Sequence, residues 1–214
     1  MKAFIVANGT FSDHKIFLAV LKPGDLVIAA DGGARHCHEM GVSPHVAIGD
    51  FDSLSPVELD DLRTGDTQLI RYPSKKDFTD LELAIDYAQQ RNPEEIQIYG
   101  GLGLRWDQTL ANLLLLARTR SGDVFVRMID GKQEVMLATG PGSLVIAGDP
   151  GDTVSLIPIA GDAFGITTDG LEYPLSDEIL FFGATRGVSN ALTKPTATVS
   201  LQRGMLICVL IHCS

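Results

Sequence analysis

Leu26-Val27-Ile28-Ala29-Ala30-Asp31-Gly32-Gly33 is a short apolar run that ends abruptly in an acid and two glycines. Such a run, closed by turn residues, reads as a β-strand entering a loop. The same texture recurs on either side of it. Apolar, β-branched stretches near Ala3–Ala7, Val46–Ile48, Gln68–Tyr72, Ile96–Tyr99 and Val124–Ile129 alternate with segments of helical periodicity. That alternation predicts an α/β domain, a mostly parallel sheet with flanking helices, over residues 1–130. Helix starts are marked locally. Ser55-Pro56-Val57-Glu58 offers an N-cap, a proline at the first helical position and a capping-box glutamate. Thr79-Asp80-Leu81-Glu82 repeats the box ahead of Leu81, Ala84, Ile85 and Ala88, and Asp107 precedes Leu110, Leu113, Leu114 and Ala117; both sets share one helix face.

Beyond Asp130 the helical pattern stops. Short runs (Glu134–Ala138, Ser143–Ile146, Val154–Ile157, Ile179–Phe182, Ala197–Leu201, Leu206–Ile211) are spaced by Gly, Pro, Asp and Thr. This predicts an all-β, sandwich-like C-terminal domain over residues 131–214, with Gly131-Lys132 as the link.

With 45% hydrophobic and 21% charged residues, the 214-residue chain has the composition of a folded globular protein. A formal charge of −10 argues against a nucleic-acid partner, because binding a polyanion needs clustered Lys and Arg. No apolar run approaches the roughly 18 residues that cross a bilayer. The opening MKAFIVANGTFSDHK has too short an apolar core for a signal peptide. Cys37, Cys208 and Cys213 are odd in number and lack C-x-x-C spacing, so neither a disulfide framework nor a zinc ribbon is expected. These features together predict a cytoplasmic protein with no membrane association.

In an open parallel sheet, ligands bind beyond the carboxyl ends of the strands. Four motifs fall there: Asp31-Gly32-Gly33; Gly49-Asp50-Phe51-Asp52-Ser53; Lys75-Lys76-Asp77-Phe78-Thr79-Asp80; and Gly100-Gly101-Leu102-Gly103-Leu104-Arg105-Trp106-Asp107. Singly, each reads as an ordinary turn or helix start. Jointly they crowd Asp31, Asp50, Asp52, Asp77 and Asp80 on one sheet edge, where like charges oppose folding unless a cation intervenes. Mg²⁺ takes a few carboxylates and leaves positions for water and phosphate oxygens, which makes Asp50, Asp52 and Asp80 the candidate ligands. An EF-hand is excluded, because Leu54 and Ser55 stand where a ligand and a glycine belong. Neither G-x-G-x-x-G nor G-x-x-x-x-G-K-[ST] occurs, and no nucleophile-elbow context supports acyl transfer. His36-Cys37-His38 is read as structural, since residues two apart on a helix face different sides.

Asp31-Gly32-Gly33, GDFDS at 49–53, KDFTD at 76–80, the Gly100–Asp107 segment and Gly187-Val188-Ser189-Asn190 together resemble the thiamine pyrophosphokinase family. The resemblance implies transfer of diphosphate from ATP to the hydroxyethyl group of thiamine, with Mg²⁺ as cofactor and AMP as the second product. It also implies a homodimer with substrate held between subunits. Carried over residue by residue, it makes Asp50, Asp52 and Asp80 metal ligands and places Asp31 and Asp77 at the reacting centre; either aspartate could accept the alcohol proton. Ser53, Lys76, Thr79, Gly101, Arg105 and Asp107 become ATP-binding, and Ser189 and Asn190 thiamine-binding. Leu104 and Gln108 depart from the family's Gly-Arg-x-Asp-His pattern. Gln108 keeps hydrogen-bonding capacity but cannot become cationic. Competing expectations are diphosphate transfer to another heterocyclic alcohol such as a hydroxymethylpterin, a non-catalytic thiamine or nucleotide sensor, and a metal phosphohydrolase.

Overall fold

Six strands frame the first part of the chain: β1 (Ala3–Val6), β2 (Leu26–Ala30), β3 (Val46–Gly49), β4 (Gln68–Arg71), β5 (Glu95–Tyr99) and β6 (Phe125–Asp130). The computed structural model describes residues 1–11, 14–103, 105–119 and 124–213; Leu104 lies outside them. The strands stand in the order β6-β5-β1-β2-β3-β4, and each neighbouring pair is parallel. The α/β expectation is borne out. β1, β3 and β5 are buried at every residue, as strands covered on both faces must be. β4, at the edge, exposes Gln68 and Arg71, polar side chains that discourage further strand addition.

Helices α1 (His14–Val20), α2 (Gly33–Glu39), α3 (Pro56–Thr64), α4 (Asp80–Gln89) and α5 (Trp106–Arg118) fill the connections. Ser55 makes both halves of its capping box with Glu58, and its backbone and hydroxyl, with Arg35, hold the Glu58 carboxyl down at about 2. Thr79 Oγ1 accepts the Glu82 N–H at 3.2 Å, which starts α4. Leu81, Ala84, Ile85 and Ala88 are its buried face. α5 differs from expectation. Its buried residue is Leu116, while Leu110 and Leu114, four apart and therefore on a common face, are both more than half exposed.

The chain divides into two compact units, Met1–Leu115 with Ser121–Gly131, and Leu116–Arg120 with Lys132–Ser214. The second carries eight strands: β7 (Gln133–Thr139), β8 (Gly142–Ala147), β9 (Thr153–Pro158), β10 (Ala163–Asp169), β11 (Glu178–Leu180), β12 (Asn190–Ala191), β13 (Thr196–Leu201) and β14 (Met205–Ile211). They form two antiparallel layers, β12-β9-β14-β7 and β11-β10-β13-β8. Met136, Leu156 and Cys208 of one layer share a core with Ile146, Ile166 and Val199 of the other, which is the expected sandwich. Burial pushes the Cys37 and Cys208 thiols up to about 12, which leaves both as unreactive core residues. Among the described residues, no helix is long and apolar enough to cross a membrane.

One polar knot closes the second unit. His212 Nδ1 lies 2.8 Å from Asp152 Oδ2 and Nε2 lies 3.3 Å from Glu134 Oε1. The Cys213 N–H donates to Asp152 Oδ1 at 2.9 Å. Burial works against the imidazolium, but the hydrogen bonds to Asp152 and Glu134 outweigh it, so the His212 pKa rises above 6.5. A raised folded-state pKa contributes stability that is complete below about 6.5 and fades as pH climbs through the elevated value. The melting temperature should therefore fall across that window. His212→Gln should lose about 1–2 kcal/mol at pH 6 and show a flatter pH profile. A wild-type profile as flat as the variant's would refute the assignment.

Candidate active site

β1 and β5 are neighbours whose chains continue in opposite directions across the sheet, and at such a switch point the following loops part to form a crevice. The loops after β1 and β5 are laced by backbone bonds, Gly9 N–H to Gly100 O at 2.8 Å and Thr10 N–H to Leu102 O at 3.0 Å. Gly100 has φ 64°, and a Cβ there would lie 2.4 Å from Ala7 O, so only glycine permits this approach. Gly101 is buried, and its carbonyl accepts Asn112 Nδ2 at 2.6 Å.

The acidic loops follow β2 and β3. The Asp31 N–H donates to Ile48 O at 2.8 Å. A Cβ on Gly49 would come within 3.1 Å of Asp31 Cα, so the two loops touch. Asp31 (φ 46°) and Phe51 (φ 63°) both adopt left-handed backbone, conformations that non-glycine residues hold only where surrounding structure enforces them, often at functional sites. As a result, carboxylate oxygens of Asp31, Asp50 and Asp52 all lie within 4.8 Å of one another. Asp80 is not part of that group. It begins α4 and pairs with Lys76 Nζ at 3.0 Å.

Electrostatics within the group are divided. The Ser74 hydroxyl, the Asp52 N–H and Lys76 favour the Asp50 carboxylate and lower its pKa despite some burial. The Asp50 charge then raises the pKa of Asp52, with burial and Asp31 adding to the effect. Burial raises that of Asp80, against the pull of Lys76. Asp31 Oδ1 and Ser53 Oγ are buried without a hydrogen-bond partner among the described residues. Oxygen donors that converge, repel one another and include an unpaired buried atom fit a hard divalent cation such as Mg²⁺.

Residues 17–127 match the family model described as thiamin pyrophosphokinase, catalytic domain, and residues 144–206 match the thiamin pyrophosphokinase, vitamin B1 binding domain. The chain is also 34% identical over 185 residues to the thiamine pyrophosphokinase of Bacillus subtilis (strain 168), an alignment covering 86% of each. The chain belongs to the thiamin pyrophosphokinase family. Its fold agrees with crystal structures of the Bacillus subtilis protein (TM-score 0.88, 30% identity, all of both chains) and of a Geobacillus thermodenitrificans relative (TM-score 0.87, 27% identity, 100% of this chain and 99% of that one). Membership places the chain in a family of phosphotransfer enzymes.

Set against this pyrophosphokinase fold, the other residues singled out in the sequence have distinct local surroundings. Asp77 is exposed and is not one of the three clustered acids. Lys76 Nζ, besides Asp80, donates to Pro73 O at 3.3 Å. Thr79 is occupied as the α4 cap. Arg105 and Asp107 are exposed and bind each other through two contacts, 3.2 and 2.6 Å. In the second unit Ser189 is exposed with φ 63°, and its N–H donates to Ser155 Oγ at 3.1 Å. The Asn190 amide clasps the backbone of Tyr173, accepting its N–H at 3.0 Å and donating to its carbonyl at 2.8 Å.

Three contributors escape sequence reasoning. Ser74 supplies the leading hydrogen bond to Asp50. Arg35 ties the loop to α3 by donating to Ser53 O at 2.7 Å and to Glu58 at 2.9 Å. Asn8 packs so closely on Gly32 that a Cβ there would meet its side chain at 2.4 Å. Asn8 follows the first strand, so the strand-end rule applied to every strand would have found it. Nothing in the pattern marks Ser74 or Arg35.

Proposed function

We propose that the chain is a thiamine pyrophosphokinase, which transfers diphosphate from ATP to the hydroxyethyl oxygen of thiamine and releases AMP. Residues 1–130 form the catalytic, Mg-ATP-binding domain and residues 131–214 the thiamine-binding domain of a homodimer, with substrate held between subunits. The convergence of Asp31, Asp50 and Asp52 at the strand ends carries this reading, in a chain that matches both family models.

Asp50 and Asp52, joined by Asp80 from the start of α4 once it gives up Lys76, would hold Mg²⁺, which when bound would neutralise phosphate oxygens. The alcohol oxygen bonds to the β-phosphorus as the bond from that phosphorus to the α–β bridging oxygen breaks, and AMP carries that oxygen away. The alcohol proton passes to Asp31 or Asp77. The grouping of Asp31 with the metal-binding pair favours Asp31, since a base must stand within hydrogen-bond reach of the proton it takes. Arg105 exchanges Asp107 for a phosphate. Ser53, Lys76, Thr79 and Gly101 line the nucleotide. In the second domain Ser189 meets the thiamine pyrimidine, and Asn190 shapes its rim by clasping Tyr173.

The test is AMP release by the purified chain with ATP, Mg²⁺ and thiamine. We expect AMP and thiamine diphosphate in equal amounts, abolished by omitting either Mg²⁺ or thiamine. Preference for a hydroxymethylpterin over thiamine would reassign the acceptor. ATP breakdown without an acceptor would mean a hydrolase, and ligand binding without turnover a sensor.

A further inference from the structure

His14, the first residue of α1, meets His36 and Glu39 of α2 at a second cluster of ligating atoms. One atom from each residue lies within 4.8 Å of the others. His36 and Glu39 are three apart on α2 and so share a face; Glu39 Oε2 is 3.6 Å from His36 Nδ1 and 3.9 Å from His14 Nε2. Phe11 packs edge-on against both imidazoles, with centroids 5.1 and 5.6 Å away, and so holds the two rings in place. His38, which the sequence places beside His36, takes no part; it is exposed and faces Asp61.

The hydrogen-bond pattern shows what the cluster lacks. His36 Nε2 is 3.0 Å from Gly9 O. A carbonyl can only accept, so this nitrogen carries a hydrogen, which leaves Nδ1 as the atom that faces Glu39 and is able to bind a cation. His36 Nδ1 and His14 Nε2 are both buried, with no hydrogen-bond partner among the described residues. Two partnerless imidazole nitrogens and a carboxylate oxygen gathered within 4.8 Å are polar atoms that a cation between them would satisfy. A metal-bound histidine typically gives its other N–H to a carbonyl, which is the arrangement His36 adopts with Gly9.

We propose that His14, His36 and Glu39 bind a divalent transition ion of the zinc class, a site separate from the acidic cluster of the proposed reaction. Zinc takes such mixed nitrogen and oxygen sets in a tetrahedron, with a water as the fourth ligand. Bonds of about 2.0–2.1 Å put ligand atoms about 3.3 Å apart; the Glu39 contacts of 3.6 and 3.9 Å exceed this by a few tenths and all three atoms lie within 4.8 Å of one another, so the side chains must draw together around the ion. Imidazole ligands select zinc-like ions, whereas Mg²⁺ prefers the carboxylate loops. Bound there, the ion pins α1 to α2. Through Gly9, whose N–H holds Gly100 O, it also braces the glycine loop after β5.

The full chain, stripped with a chelator, should be titrated with Zn²⁺ in excess Mg²⁺, with binding read by equilibrium dialysis and metal analysis. We expect about one equivalent per chain, a melting temperature raised by Zn²⁺, and visible absorption bands of a tetrahedral site when Co²⁺ replaces it. Glu39→Gln and His14→Gln should each weaken zinc at least tenfold while melting like the wild type in chelator. A wild-type chain that binds no zinc would overturn the proposal, as would variants that retain its stoichiometry and affinity. AMP formation with thiamine is a separate assay that tests the proposed reaction whether or not zinc binds.

Discussion

Asp52→Asn is expected to lower turnover by about a thousandfold without unfolding the chain. Asp52 is exposed, so the amide is accommodated, but it cannot supply the negative charge that a divalent ion draws from this loop. The electrostatics give the experiment a second readout. Asp50 is the chief cause of the raised Asp52 pKa, which means that in the absence of metal the Asp52 charge is repelled by its neighbours. Removing it relieves that repulsion, so the variant should melt in chelator at or above the wild-type temperature. Adding Mg²⁺ should stabilise the variant less than the wild type. Wild-type turnover in Asp52→Asn would end the assignment of Asp52 to metal. A lowered melting temperature in chelator would contradict the charge argument.

Gly33→Ala is expected to be the most damaging single methyl in the first unit. A Cβ at this position would fall 1.9 Å from Val6 O and 2.6 Å from Val6 C, atoms of the backbone of β1. That strand is bonded on both sides, to β2 and β5, and cannot recede. Gly33 opens α2, so the alternative is for the helix start to lift away and carry Asp31 with it. Overpacking of this kind costs on the order of 3 kcal/mol. For a chain of this size that is a fall of roughly 6–12 °C in melting temperature. Gly65→Ala is the control, because its Cβ would meet nothing closer than 3.5 Å. Equal melting of the two variants would show that the close approach of α2 to β1 is not as tight as these distances state.

What was legible in the sequence depended on how regular each element is. The limits of β2 are plain in the sequence because Leu26–Ala30 is an unbroken apolar run between turn residues. β10 carries no such signature. Gly165 has φ 65° within it, and the pairing with β11 shifts register between Ala163 and Ile166, so the bulge hides the alternation a strand should show. β12 is two residues long and carries no pattern. The acidic loops were legible because strand ends are where an α/β sheet gathers ligands. The finer grouping was not. That Asp31, rather than Asp80, joins Asp50 and Asp52 within 4.8 Å follows from the left-handed turn at Asp31, a torsion that no spacing rule reports. His14 and His36 lie in separate segments, brought together by packing around Phe11, and local periodicity could not pair them.

The backbone at Asp31 decides how this position can be probed. Asparagine and aspartate are the side chains that best tolerate φ near 46°, so Asp31→Asn changes charge at almost unchanged conformational cost. Alanine would alter both at once and confuse a lost proton acceptor with a loosened turn. Of the acids gathered at this edge, Asp31 is therefore the one where the choice of replacement residue settles whether a kinetic defect can be interpreted.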